Sequence, residues 1–374
     1  MSILDDSVGD EQAILKYEGR HLYLLNNDNT NPLHVDGLKL KEKQNKKLSH
    51  GSIINFTANT DSIVRTYILE PPILLGQALK NRYTLTQLLH QSEISHLYEA
   101  EDTSLNYRAS SVRVFSHIQG VTDDLFNHFK KRASLISGLA ISNIHPIIDY
   151  GSELLEIDEV QKKFYFIVMD YKKKYSWDDI VKKDKEVALS ELVEWSLKLG
   201  KALDHCHEKK IYHGSIKPSA IIINDSNDPI LLDFKIIHNS QFNATLIVGS
   251  PPYMSPQQWQ GEDETAEDDQ FSMAVVLYQL ISGELPYKHN GKESPSNRLD
   301  NFRRGPSPCH DVAKKNGRHQ VPAAVSAVLA RALHEQPTGR YGSVNEFVNE
   351  FKKSIQIYDA VHKNRQKKIK NCIY

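Results

Sequence analysis

Hydrophobic and polar residues alternate through the first fifth of the chain. Between residues 12 and 75 the runs AILKY, HLYLL, SIINF and IVRTYIL are separated by the turn-forming stretches NNDNTN and VDG. A period of two, broken by Asn, Asp and Gly, predicts a small all-β module. Glu70-Pro71-Pro72 reads as a connector. Strands dominate again from about residue 80 to 172, where the continuously apolar or aromatic middle of KFYFIVMDY predicts a strand buried on both faces. From about residue 188 the period becomes helical. Ser190 is the expected N-cap, followed by Leu192, Trp195, Leu199, Leu203 and Cys206 along one face. Gln270 to Ile281 is apolar almost all round, which predicts a buried central helix. Ser343-Val344-Asn345-Glu346 reads as a capping box, and Val344, Phe347, Phe351, Ile355 and Tyr358 form one face of the helix it starts. The chain then turns basic in VHKNRQKKIKN, either a solvated, fraying helix end or a docking tail for an acidic partner or membrane surface. No internal repeat is visible.

Composition narrows the class. The 374 residues are 40% hydrophobic and 25% charged, with a formal net charge of −1, which argues against a nucleic-acid-binding protein. Cys206, Cys309 and Cys372 are far apart and odd in number, so neither a zinc site nor a disulfide framework is expected, and a reducing cytoplasm is the simpler setting. The stretch MSILDDSVGDEQ is acidic and has no apolar core, unlike a signal peptide. No window approaches the roughly 18 consecutive apolar residues of a membrane span. The expectation is a cytoplasmic protein without a transmembrane segment.

Four segments then follow in order: IYHGSIKPSAIII from Ile211, LLDFK, GSPPYMSPQQW, and DDQFSMAVVLYQLISGELPY. Together they resemble the C-lobe of protein kinases of the bacterial Ser/Thr type. The resemblance covers about residues 80 to 355. It implies an α+β, bilobal kinase-like fold, with a β-rich N-lobe over 76–172 and a helical C-lobe over 173–355. A small all-β module, 1–75, would precede it and a basic tail, 356–374, would follow. The family's His-Arg-Asp-x-Lys-Pro-x-Asn is His213-Gly214-Ser215-Ile216-Lys217-Pro218-Ser219-Ala220 here. Its Asp-Phe-Gly is Asp233-Phe234-Lys235, and its Ala-Pro-Glu is Ser255-Pro256-Gln257. Asp269 matches the aspartate that starts the central helix. Arg340 matches the arginine that pairs with the Ala-Pro-Glu glutamate, a pair Gln257 would reduce to a hydrogen bond. In the N-lobe the Gly-rich loop falls on His90 to Ser95, the nucleotide lysine on Arg113, its helix glutamate on Arg132, and the hinge on Met169-Asp170-Tyr171.

The replacements have physical consequences. Phosphoryl transfer asks the protein for positioning and charge stabilisation. Without its glycines the loop cannot bring backbone N–H groups to phosphates unobstructed. Arg132 in place of glutamate sets a second cation opposite Arg113, turning ~4 kcal/mol of attraction into similar repulsion at an effective dielectric of about 20. Ser215 cannot serve as the base, and Ala220 offers magnesium no ligand. Lys217 and Asp233 survive. Arg113, Lys217 and Asp233 are the candidate nucleotide or phosphate site, with Asp233 alone as a metal ligand. The ligand expected there is ATP, with weak or no magnesium dependence, or none. His213, Asp269 and Arg340 are expected to be structural.

Asp28 to Gly37 (DNTNPLHVDG) and KLSHGSIINF from Lys47 resemble the latter half of a forkhead-associated (FHA) domain, carried by Thr30-Asn31, Asp36-Gly37, Leu48 and Gly51. That family's phosphothreonine-binding Arg and Ser-x-x-His lie in its first half and are not placed in this sequence, whose segment is short for a full domain. The resemblance therefore implies the sandwich shape and not the phosphopeptide activity. A generic β module is the alternative. The expected function is a pseudokinase that regulates or scaffolds a protein partner, such as a kinase, an FHA protein or a signalling complex. The alternatives are an unconventional ATP-dependent kinase or nucleotidyl transferase built on Asp233 and Lys217, and a binding module with no nucleotide.

Overall fold

The computed structural model describes residues 13–18, 21–26, 33–48, 53–57, 63–68, 74–91, 95–115, 123–157, 160–170, 175–235, 250–288, 295–318 and 320–357. The acidic N-terminus, Thr30-Asn31, Gly51, the Glu70-Pro71-Pro72 connector, loop residues 92–94, Tyr171, the segment 236–249 and the basic tail with Tyr358 lie outside the described residues.

The chain divides into two compact units, residues 1–130 with 147–171, and residues 131–146 with 172–374. The first unit begins with β1 (Ala13–Glu18), β2 (His21–Asn26), β3 (Leu33–Val35), β4 (Leu38–Leu40), β5 (Asn45–Leu48), β6 (Ile53–Thr57) and β7 (Ile63–Ile68). They form two antiparallel sheets, ordered β1-β2-β5 and β4-β3-β6-β7. Alternation puts Leu24, Leu33, Val35, Leu40, Leu48 and Ile54 into one core cluster. The Asp36-Gly37 turn between β3 and β4 has φ of 54° and 76°, the left-handed pair that a two-residue hairpin needs. Asn26 is buried and donates from Nδ2 to the Leu40 carbonyl at 3.0 Å, tying β2 to the end of β4.

Next come β8 (Ala78–Leu79), β9 (Tyr83–Gln91), β10 (Ser95–Asp102), β11 (Arg108–Phe115), β12 (Ile147–Ile157) and β13 (Val160–Asp170), an antiparallel sheet ordered β12-β13-β11-β10-β9-β8. One face is buried through Tyr83, Tyr98, Val112, Val114, Phe164, Phe166 and Val168. Phe115 and Tyr165 meet Phe129, each with ring centroids 5.6 Å from it. Phe129 belongs to α1 (Asp123–Ser137).

The second unit is mainly helical: α2 (Trp177–Lys182), α3 (Leu189–Glu208), α4 (Pro256–Trp259), α5 (Ala266–Ser282), α6 (Pro295–Arg304), α7 (Cys309–Lys315), α8 (Ala323–Ala332) and α9 (344–357), with the small hairpin β14 (Ile221–Ile223) and β15 (Pro229–Leu231). Helix α5 is the central helix that its nearly uniform apolar character predicts; residues Phe271 to Tyr278 are all buried. Helix α3 starts earlier than Ser190. Its N-cap is Ala188, with no side-chain cap, and Leu192 N donates to the Ala188 carbonyl at 3.1 Å, so Ser190 already lies in the first turn. Gly200 of α3 lies against α9: a Cβ there would come 2.8 Å from Val348 Cγ2. At the start of α9, Ser343 Oγ accepts from Glu346 N at 3.1 Å while the Glu346 carboxylate reaches back to Gly342 N at 2.8 Å.

Candidate functional site

The site is built on the loop after α3. Asp269, on the first turn of α5 and 1% exposed, accepts from three donors: His213 N at 2.7 Å, Gly214 N at 2.8 Å and His207 Nε2 at 2.8 Å. Burial would raise its carboxyl, but the His207 bond, the fields of His207 and His213 and the His213 N–H hold it below the ordinary carboxylate value. His213 is fully buried. Its Nδ1 accepts from Ser215 N at 3.1 Å, so Nε2 carries the proton and donates to the Leu232 carbonyl at 2.6 Å. Burial lowers its pKa against the pull of Asp269, so the ring is neutral at neutral pH. The ring also lies 4.5 Å from that of Phe234. Leu232 N donates to the Ala220 carbonyl at 2.8 Å and Lys235 N to the His213 carbonyl at 2.8 Å. These bonds hold 213–220 and 232–235 side by side.

Ser215, Lys217 and Asp233 are half-buried, while Ala220 is fully buried. Asp233 has a φ of 61°. That left-handed backbone is uncommon outside glycine, although aspartate tolerates it better than most residues. Lys217 precedes a 3-10 turn, Pro218–Ala220, in an extended conformation.

The Arg132 guanidinium donates from Nη2 to the Tyr212 carbonyl at 2.6 Å and from Nε to the Lys235 carbonyl. Bonds from a charged donor contribute about 1.5–3 kcal/mol each, which offsets the burial that lowers the Arg132 pKa. In the other unit, Arg113 on β11 donates from Nη1 to Ser95 Oγ at 3.2 Å. Ser95 opens β10.

Lys235 sits where the family has the glycine of Asp-Phe-Gly, and its Nζ is 2.5 Å from Glu264 Oε1. Both side chains are buried, at 7% and 0% exposure. Motif reading placed Lys235 but missed its role, and gave no sign of Glu264, Gln258 or His207. Partners so distant in sequence carry no local signal. Arg340, 3% exposed, donates to Gln257 Oε1 at 2.7 Å, and Gln257 Nε2 donates to the Glu335 carbonyl at 3.1 Å. Burial brings the Arg340 pKa down to about 10, so it stays charged at neutral pH. Among the described residues no cluster of His, Cys, Asp and Glu is arranged to hold a metal ion.

Residues 124–352 match the model of the protein kinase domain. The chain belongs to the protein kinase domain family. A relative from Clostridium acetobutylicum, named a probable serine/threonine-protein kinase, is 27% identical over 281 residues, covering 74% of this chain and 40% of the relative. Serine/threonine-protein kinase PrkC of Bacillus subtilis is 23% identical over 299 residues, covering 79% of this chain and 43% of PrkC. The chain thus spans about two-fifths of the length of these relatives. A crystal structure of Rad53 1-466 in complex with AMP-PNP has the same fold, with a TM-score of 0.56 at 15% identity, over 92% of this chain and 86% of that one. No helix among the described residues is long and apolar enough to cross a membrane.

Proposed function

We propose that this chain is a pseudokinase, a catalytically impaired protein kinase homologue that regulates or scaffolds a signalling complex by binding another protein. One observation carries the reading. The loop after α3 is braced through two main-chain hydrogen bonds to Asp269, which His207 of α3 holds from the other side, yet it presents Ser215 and Ala220 where the reaction needs a carboxylate and a metal-binding amide. A positioned base contributes ~10²–10⁴-fold in rate, and serine cannot supply it. Losses in parts that act as a unit do not add, but each alone is severe. The partner in this reading is a kinase, an FHA protein or a complex containing them. The N-terminal module serves as an FHA-like docking shape. Arg113, Lys217 and Asp233 remain as contacts for ATP, with weak or no magnesium dependence.

The test is incubation of the full chain with γ-labelled ATP and generic protein substrates, beside Asp233→Ala. The expected result is no label above background in either protein. Label transfer by the wild type that Asp233→Ala abolishes would overturn the proposal. It would favour the second reading, a kinase or nucleotidyl transferase using Asp233 and Lys217. The left-handed Asp233 backbone supports that second reading, because strained conformations gather at functional sites. Thermal-shift titration separates nucleotide binding from catalysis: the expected shift with ATP persists in EDTA. No shift in either condition would leave a protein-binding module without nucleotide.

A further inference from the structure

The family motif pairs a large cation with a glycine: Arg in His-Arg-Asp and Gly in Asp-Phe-Gly. This chain has the reverse, Gly214 and Lys235. The two positions are neighbours in space. A Cβ on Gly214 would lie 2.7 Å from Glu264 Cγ and 3.4 Å from Lys235 Cβ. Glu264 stands just before Thr265, the N-cap of α5, and its side chain fills the space next to residue 214. Lys235 reaches the same space from the segment 232–235 and pairs with Glu264 at 2.5 Å.

We infer that Gly214 and Lys235 are an exchanged pair: the loop's cation has moved to residue 235, where its ion pair with Glu264 anchors 232–235 to the start of α5 beside Gly214 of the catalytic loop, without any modification of the chain. The anchor has three points at Lys235. The main-chain N–H donates to the His213 carbonyl at 2.8 Å, the carbonyl accepts from Arg132, and Nζ meets Glu264. Gly214 is equally committed, with its N–H on Asp269 and its carbonyl accepting from Gln258 Nε2 at 3.0 Å. Kinase activation loops are commonly ordered by new arginine–phosphate pairs. Here both charges of the pair are side chains of the chain itself, buried and already joined. The inference rests on the kinase-family match and stands whether or not the chain transfers phosphate.

A double-mutant cycle on the full chain tests it, read by amide hydrogen exchange at residues 213–217 and 232–235. Lys235→Gly removes the cation 2.5 Å from the buried Glu264. Removing one partner of a buried pair is strongly destabilising, so exchange should rise by roughly a hundredfold. Gly214→Arg crowds Glu264 and loads a side chain onto a backbone with φ of 71°, so exchange should rise there too. The double variant returns a cation to Glu264 and frees space at residue 235. It should exchange at least about tenfold more slowly than the product of the two single factors requires. A smaller gap, or faster exchange than the product, overturns the inference. If Gly214→Arg alone does not fold, a folded double variant that exchanges no faster than Lys235→Gly supports it, and an unfolded double variant overturns it. Phosphatase treatment of the wild type should leave protection of both segments unchanged; a loss of protection overturns the claim that no modification is needed.

Discussion

At the scale of single residues, His213 shows how burial and one carboxylate set a charge state. Its folded pKa lies below the ordinary value of 6.5 because the ring is buried and its protonated form is poorly solvated. The unfolded chain therefore takes up a proton that the folded chain refuses. Stability from this group is complete well above 6.5 and declines as the pH falls through and below that value. Denaturant unfolding of wild type and His213→Gln at pH 7.5 and 5.5 should show a smaller loss on acidification in the variant; equal losses would remove His213 from the account. Asp269 works at lower pH. Its folded value is depressed, so its contribution is present above the ordinary carboxylate range and is lost as pH falls through the lower folded value.

At the scale of elements, close approach of backbones decides what the helical unit tolerates. Gly200 lets α3 and α9 meet, and a methyl group would sit 2.8 Å from Val348 Cγ2. Alanine has the higher helix propensity by ~1 kcal/mol. Overpacking costs ~1–3 kcal/mol and outweighs it. Gly200→Ala should therefore lower stability by about 1 kcal/mol, and Gly200→Ala with Val348→Ala should recover part of that loss in chemical denaturation. Helix α1 makes the converse point. Its residue Arg132 is held by the carbonyls of Tyr212 and Lys235 rather than by a carboxylate, so this helix end is tied to main chain that every sequence would offer.

At the scale of the whole molecule, the N-terminal strands bury a cluster of their own, distinct from that of the six-stranded sheet. Leu24 is fully buried in the first cluster. Leu24→Ala should cost about 2–5 kcal/mol there. Amides of 13–57 should then exchange faster while those of β9 to β11 keep their protection; matching losses in both would show one cooperative unit.

The order of elements was legible from the chain alone because each rests on local rules. Period-two alternation produced the strands, the Asp36-Gly37 pair its hairpin, and the apolar run after Asp269 the central helix. Ordered motifs likewise singled out the segment from His213 to Ala220, which the structure ties to Asp269 at the start of α5. Local rules say nothing about which distant residue fills a given space. The sequence offered Arg132 in place of a glutamate and Lys235 in place of a glycine. Only the tertiary structure gave Arg132 two carbonyls and Lys235 the buried Glu264. The physical reason is that a buried charge must find a partner of opposite charge or complementary polarity in the right geometry, and that partner is chosen by packing rather than by sequence spacing.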